Sequence, residues 1–436
     1  MGKPLCKSRL KIIFFSIYNM YPIMKRTIAV IDLKAFYSYV ECIDRGLDPW
    51  STPLVVADKD RGKNTIVLSV TPYLKKRGVP SRLRINDLPK GYNYIYAIPR
   101  MQRYIDMSCE VMSILLDFVA EEDLHIYSID EAFLDLTSYL GYYQKTPYEL
   151  VKYIINTIKE KTGLECTAGI GDNFFLAKVA LDNYAKKERE GIATIYKDDV
   201  KEKIWPITPL SKVWGIGANL ERRLNNLGIF TMKDLATSSR LFMNKYFGII
   251  GEQLLDHANG IDEADIHEVY IPKETSLSIG QALFKDYTPK ECETIIREMS
   301  DDLCYRLRME RKLTGTVSLY IGYSKEGGFS RQLSLLKVTD DNNEIYEALM
   351  EIYHRFITNK TIRRVGINFG KLTYKPKHEQ LDLFVDESVS QKSRNLNFII
   401  DEIRNKYGEN ALLRATSLLD FSTIRERHNQ IGGHRR

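Results

Sequence analysis

Apolar positions along the chain fall into two rhythms. Ile28 to Leu33 (IAVIDL) is a short β-branched run, and Lys34 to Ile43 behind it spaces aromatic and aliphatic residues as a helix does. A strand feeding a helix is therefore predicted, with Asp32 near the junction. Leu54 to Ala57 and Thr65 to Ser69 read as further strands, and Pro72, Gly78 and Pro80 break up the basic segment that runs from Lys75 to Arg84. Helical spacing returns from Tyr104 to Ala120 and from Tyr148 to Lys161. His125 to Thr137 reads as a strand pair and Cys166 to Ile170 as a strand, so the pattern is α+β up to about Gly191.

After Asp198 the texture changes to short helices around glycines, with no strong strand between Lys201 and Gly260. Beyond Pro272, strands are expected at Thr314 to Tyr323, Phe329 to Leu335 and Arg364 to Thr373, with helical stretches at Lys290 to Glu310 and Asn343 to Asn359. The order strand, helix, strand, strand, helix, strand reads as the split βαβ of a ferredoxin-like module. The tail is read as a polar linker and one helix, Leu396 to Tyr407, stopped by Gly408.

Composition changes this picture in three ways. At 436 residues the chain exceeds one ordinary core, and about two to four domains are expected. A formal charge of +6 with 28% charged residues fits a soluble protein with only a mild basic lean, too little to identify a nucleic-acid partner by itself. The six cysteines (Cys6, Cys42, Cys109, Cys166, Cys292, Cys304) are scattered without metal-ligand spacing, which points to a reduced, cytoplasmic protein. Residues 1–25 include the apolar stretch KIIFFSIYNMYPIM behind a basic start. It is interrupted by Asn19 and Pro22, lacks a small-residue cleavage pattern and is too short to span a bilayer, so it reads as a flexible leader, or Met24 is the start.

Candidate chemistry rests on three carboxylates: Asp32 at its strand end, and the adjacent Asp130 and Glu131 within the strand pair. Acidic side chains placed among buried residues are costly unless a cation compensates them. Hard divalent ions bound by carboxylates and substrate phosphates would supply that compensation. A solvated turn at a strand end is the competing reading, and spacing alone does not choose between the two.

The motifs do choose. YSIDEAFLDL (Tyr127 to Leu136) resembles the S-x-D-E-x-x-L-D signature of the Y-family, or lesion-bypass, DNA polymerases. AVIDLKAFYSYVE (Ala29 to Glu41) is similar to that family's opening strand and helix, and AGIGDNFFLAKVALDNYAK (Ala168 to Lys186) to its G-I-[GS]-x-N-x-x-[LF]-A-K element. The likeness extends from about residue 26 to 375, and the length with its tail is similar to the bacterial UV-damage (SOS-mutagenesis) branch.

The resemblance implies a multidomain α+β fold shaped like a right hand. In it residues 26–35 and 100–193 form a ferredoxin-like palm, 36–99 small fingers, 194–262 a helix-hairpin-helix thumb, 272–375 an α/β little finger, and 376–436 a clamp-binding linker and tail. It implies a template-directed, low-fidelity polymerase without proofreading that takes primer-template DNA and deoxynucleoside triphosphates. Two Mg²⁺ ions would be held by Asp32, Asp130, Glu131 and the main-chain carbonyl of Leu33.

It further makes Phe36 and Tyr37 the aromatic pair at the incoming nucleotide, with Tyr37 as steric gate, and places Ser69, Lys75 and Lys186 at phosphate positions. Pro72 and Lys75 stand where the family often has Tyr and Arg. That departure leaves a point charge in place of a bidentate fork. KVWGIGANLERRLNNLGI (Lys212 to Ile229) holds Gly215 and Gly217 of a helix-hairpin-helix turn able to receive DNA phosphates, with Trp214 where the family usually has Pro. In the little finger, Arg331, Arg363, Lys371 and Lys375 are candidates for a DNA-facing strand surface. Gln380, Leu381, Asp382, Leu383 and Phe384 look like a bacterial sliding-clamp peptide. Residues 395–436 are expected either to bind a partner, such as a recombinase filament or accessory subunit, or to pack on the protein's own core. No membrane partner is expected. A silent DNA-binding relative and a helix-hairpin-helix repair enzyme are the competing functions; the first does not need the acidic trio, and the second accounts only for the Gly215 region.

Overall fold

The computed structural model describes residues 26–268, 271, 272, 275–376 and 387–436, and the chain divides into two compact units, Met1–Val269 and Tyr270–Arg436. In the first unit the opening strand β1 (Ile28–Leu33) leads into α1 (Phe36–Asp44). A small sheet follows, built from β2 (Leu54–Val56), β3 (Ser69–Val70) and β4 (Ile95–Ala97), with the short helix α2 (Pro72–Lys76) against it. The chain then runs through α3 (Met101–Leu116), β5 (Leu124–Ile126), β6 (Glu131–Asp135), α4 (Tyr139–Tyr143), α5 (Pro147–Thr162), β7 (Cys166–Gly171), α6 (Phe174–Val179) and β8 (Ile192–Ile195).

The main sheet has the order β5-β6-β1-β7-β8. Its first four strands are antiparallel neighbours in ferredoxin-like order, and β8 adds a parallel edge to β7. β1 is central and buried along almost its whole length, which is why it reads as a near-continuous apolar run. Its apolar side chains Ile28 and Val30 pack with Phe133, Phe174, Ala177 and Leu181. After β8 come four helices, α7 (Ala218–Asn225), α8 (Met232–Ala236), α9 (Arg240–Phe247) and α10 (Ile249–Ala258), whose core includes Leu224, Met232, Leu235 and Met243.

In the second unit β9 (Leu277–Tyr287), α11 (Pro289–Met309), β10 (Lys312–Tyr323), β11 (Gly328–Thr339), α12 (Asn342–Phe356) and β12 (Ile362–Gly370) follow the expected element order. The sheet order is β11-β10-β12-β9, all antiparallel, so the central strands are the second and fourth of the module. A ferredoxin-like sheet centres the first and third. β11 and β9 are the two edge strands and are more exposed than the central β10 and β12, a ranking that period-two alternation in the sequence does not carry.

Several boundaries also differ from the expected ones. α1 starts two residues late because Ala35 adopts a left-handed conformation (φ 47°). Thr65 to Ser69 contributes only β3 and an isolated bridge from Ile66 to Arg84.

Beyond β13 (Thr373–Tyr374), the tail forms α13 (Glu387–Tyr407), α14 (Ile424–His428) and a hairpin of β14 (Gln430–Ile431) with β15 (His434–Arg435). Gly408 follows α13 with φ 97°, as its stop position requires. Residues 395–436 pack on their own unit through polar contacts. Arg308 Nε donates to Asp401 at 2.6 Å, Arg427 Nη2 to Asp302 at 2.7 Å, and Ser422 Oγ to Glu298 at 2.6 Å. Among the described residues no helix is long and apolar enough to cross a membrane.

Candidate active site

The three carboxylates meet because of strand register. Asp32 on β1 lies directly opposite Glu131 on β6 and opposite Thr167 on β7. Opposed residues on antiparallel strands stand about 4.5–5.5 Å apart. The Leu33 amide donates to the Asp130 carbonyl at 2.9 Å, which fixes the turn before β6 against the end of β1. Asp130 accepts from Ser128 Oγ at 2.7 Å. Burial, then the nearby Glu131 and Asp130, push the Asp32 carboxyl up to about 7, against the lowering pull of Lys186.

As they stand, no three Asp, Glu, His or Cys side chains among the described residues converge as one ion's ligands. The donor chemistry nevertheless fits a hard divalent cation: three carboxylates and the Leu33 carbonyl gathered at one sheet end, with an acid raised first by burial and then by its acidic neighbours.

Basic residues ring the acids. Lys186 Nζ lies 3.8 Å from Asp32 Oδ2 and 2.8 Å from Asp182 Oδ1; burial works against its charge, but Asp32 and Asp182 outweigh it and raise its pKa. Lys75, on α2, is close enough to feel Asp32 and Asp130, yet burial lowers its pKa. Lys178, which ends the G-I-[GS]-x-N-x-x-[LF]-A-K element, has no role readable from the sequence. It is 5% exposed and its ammonium pairs with Glu131 and, at 3.2 Å, with Asp182. Glycine explains how it gets there. A Cβ on Gly169 would lie 2.1 Å from the Ala177 carbonyl oxygen, and one on Gly171 2.7 Å from the Ala177 amide nitrogen. Two bare positions on β7 thus let α6 and the π-turn after it (Ala180–Tyr184) press onto the sheet beside Glu131.

On the other side of the acids, Ala35 holds its left-handed turn because its carbonyl accepts from Ser38 Oγ at 2.9 Å, the Tyr39 amide at 3.0 Å and Ser69 Oγ at 3.3 Å. Ser69 is buried and spends its hydroxyl on this turn and on Ser38, so the geometry makes it a brace for α1. Phe36 is buried and Tyr37 half-buried; the Tyr37 ring lies 4.7 Å from the Tyr104 ring and 5.5 Å from that of Phe36. Tyr104 is fixed in turn by donating to the fully buried Glu41 at 2.7 Å, which Arg100 also reaches at 2.9 Å. The Tyr37 phenol is raised by burial and then by Asp130, and the charge of Arg82 opposes this.

Among the DNA candidates, Gly215 has φ 89°, a conformation suited to glycine, and a Cβ there or at Gly217 would meet nothing within 4 Å, so the hairpin turn before α7 is open. Trp214 donates to the Tyr127 hydroxyl at 3.2 Å and packs beside Phe133. In the second unit, register sets the four basic candidates in different surroundings. Arg331 pairs across to Leu319 and Ile367 on the face that α11 and α12 cover, and its guanidinium lies over Phe356. Arg363 faces Asp286 at 3.5 Å, and Lys375 is paired with Asp340 at 3.0 Å. Arg364, opposite Gly322 and Ala282, lies instead on the open face with Ser318, Tyr320, Asn368 and Gln332. Lys371 follows β12 with φ 48°. Gln380 to Phe384 lie outside the described residues.

Comparison with known proteins agrees along the chain. Residues 31–182 match the impB/mucB/samB family, 197–229 the IMS family HHH motif, and 274–383 the impB/mucB/samB family C-terminal domain. The putative UV-damage repair protein UvrX of Bacillus subtilis (strain 168) is 36% identical over 96% of this chain and 99% of its own. DNA polymerase IV 2 of the same organism is 32% identical over 94% of this chain and 99% of its own. Among solved structures, a Y-family DNA polymerase chimera, Dbh-Dpo4(243-245)-Dbh, superposes with a TM-score of 0.65 at 22% identity, covering 80% of this chain and 99% of that one, which establishes the likeness of fold.

Proposed function

The chain belongs to the impB/mucB/samB family of Y-family DNA polymerases, and from that premise we propose that it performs low-fidelity translesion DNA synthesis by nucleotidyl transfer supported by two Mg²⁺ ions, without proofreading. The observation that carries the reading is the register of Asp32 against Glu131, with Asp130 tied to the same strand end and lysines around them. Asp32, Asp130, Glu131 and the Leu33 carbonyl would hold the ions. When bound, these supply Lewis-acid polarisation of the primer 3′ hydroxyl and the α-phosphate.

The protein's own part is positioning. Lys186 and Lys75 offer charge to the triphosphate, and Arg82 adds a guanidinium on the Tyr37 side. Tyr37, backed by Tyr104, presents a fixed ring edge that a 2′ hydroxyl would strike. The Gly215–Gly217 turn offers backbone donors to a phosphate of the duplex, giving grip without sequence readout. Gln380 to Phe384 serve as a sliding-clamp peptide, which lengthens residence on DNA by tethering.

One primer-extension assay with Mg²⁺, on intact and UV-damaged templates and with or without bacterial clamp, tests the reading. Wild type extends past the lesion, Asp130→Ala with Glu131→Ala is inert on both templates, and Leu383→Ala with Phe384→Ala loses only the stimulation by clamp. Extension that stops at every lesion, or survives in the double acidic variant, overturns it.

A further inference from the structure

Behind the acidic trio lies a second layer of charge. Lys178, Asp182 and Lys186 recur every four residues, and the π-turn between them keeps all three on the side facing β1 and β6. The Lys178 ammonium pairs with Glu131 and Asp182. Asp182 places its other oxygen 2.8 Å from Lys186, and Lys186 reaches Asp32. Since Asp32 and Glu131 are opposed across the strands, these charges close a ring in which cation and anion alternate except at the Asp32–Glu131 step.

A lysine buried to this extent costs several kcal/mol of desolvation unless paired on both sides. Its pairing here has a consequence for the site. Lys178 occupies one oxygen of Glu131, a residue that would hold an ion, and so stands where an ion would compete for that oxygen. Asp182 is shared between Lys178 and Lys186, so any ligand that draws Lys186 away concentrates the Asp182 charge on Lys178.

We propose that Lys178 is a resident counter-ion of the acidic site, competing with a divalent ion for Glu131, and that Asp182 relays nucleotide binding to it. A triphosphate that engages Lys186 leaves Asp182 to Lys178; Lys178 is drawn from Glu131, and Glu131 turns to the ion. Lys178 and Asp182 are thus positioning residues that link nucleotide to ion. By reciprocity, each ligand tightens the other by the same factor. The relay rests on the proposed contact between Lys186 and the triphosphate; the competition at Glu131 does not.

The test is Mn²⁺ binding to the full-length protein on primer-template DNA, read from the electron paramagnetic resonance signal of free Mn²⁺, with and without a non-hydrolysable deoxynucleoside triphosphate analogue. Without nucleotide, Lys178→Met binds Mn²⁺ about fivefold tighter than wild type, while Lys178→Arg stays within about twofold. Asp182→Asn retains the weak nucleotide-free binding and loses the extra tightening that wild type shows with the analogue; the ion carried by the analogue itself is common to both proteins and cancels. Unchanged or weaker Mn²⁺ binding in Lys178→Met, in a protein whose melting curve is cooperative, reduces Lys178 to a structural clamp and overturns the proposal. If the Met variant melts without a cooperative transition, Lys178→Gln is read by the same criterion. Lys186→Ala separates the premise: unchanged analogue affinity there defeats the relay and the Lys186 reading while leaving the Mn²⁺ result at Lys178 to stand or fall alone.

Discussion

Tyr37 and Asp32 are the residues whose chemistry is most exposed to test. The Tyr37 ring is fixed by Tyr104, itself tied to the buried Glu41, so the edge it presents does not swing aside for a larger sugar. Tyr37→Ala is expected to raise ribonucleotide incorporation by about a hundredfold or more while deoxynucleotide incorporation falls less than tenfold, because a steric exclusion worth about 3 kcal/mol is removed. Single-nucleotide extension with matched ribo- and deoxynucleotides measures it, and an unchanged ratio would remove the gate. Asp32 carries a stability signature as well. Its carboxyl is raised to about 7, chiefly by burial, so the ion-free fold binds a proton that the unfolded chain releases. Its contribution is therefore complete below the unfolded pKa and is lost as pH rises towards about 7. In EDTA the melting temperature of wild type should fall between pH 5 and 7.5, and Asp32→Asn should flatten that slope; equal slopes would show that Asp32 is not held protonated. The three acids and Tyr37 are legible as motif residues with a role, whereas Lys178 closes the G-I-[GS]-x-N-x-x-[LF]-A-K element without the motif disclosing its place. Nothing in a sequence marks one lysine of several as buried, and only the fold brings it to Glu131.

At the scale of elements, strong periodicity was legible and marginal strands were not. β1, β7, α5 and α11 were placed within a few residues because each has a full apolar stripe or run. β4 and β8 are short, and β9 is largely exposed, so neither alternation nor a long apolar run announced them. The face on which Arg331 stands follows from its register opposite Leu319, and register is a property of the strand pair that one strand's sequence does not carry. The glycines of AGIGDN had an element-scale meaning that the motif concealed. They set the distance between α6 and the sheet. Gly169→Ala forces a carbon against the Ala177 carbonyl, and a loss of about 3 kcal/mol is expected from overpacking, with polymerase activity falling before the protein unfolds. Chemical denaturation beside an extension assay checks both, and a variant within about 0.5 kcal/mol of wild type would show that α6 is free to move off.

For the whole molecule, a helical segment after the first sheet and an α/β module before a tail follow the changes of rhythm along the chain, while the sheet order of that module does not. The tail was readable only as polar. Its docking through Arg308, Asp301, Asp302 and Glu298 depends on charges separated by about a hundred residues in sequence, a coincidence that periodicity does not encode. The central claim concerns the first unit: strands far apart in sequence bring Asp32, Asp130 and Glu131 to one sheet end to hold the ions of nucleotidyl transfer. Rapid-quench incorporation of one nucleotide as a function of Mg²⁺ concentration, for wild type and for Glu131→Gln, tests it most directly. The account predicts that the variant needs more Mg²⁺ and loses about a thousandfold in maximal rate. A Glu131→Gln protein with the Mg²⁺ dependence of wild type and a rate within tenfold of it would contradict the account.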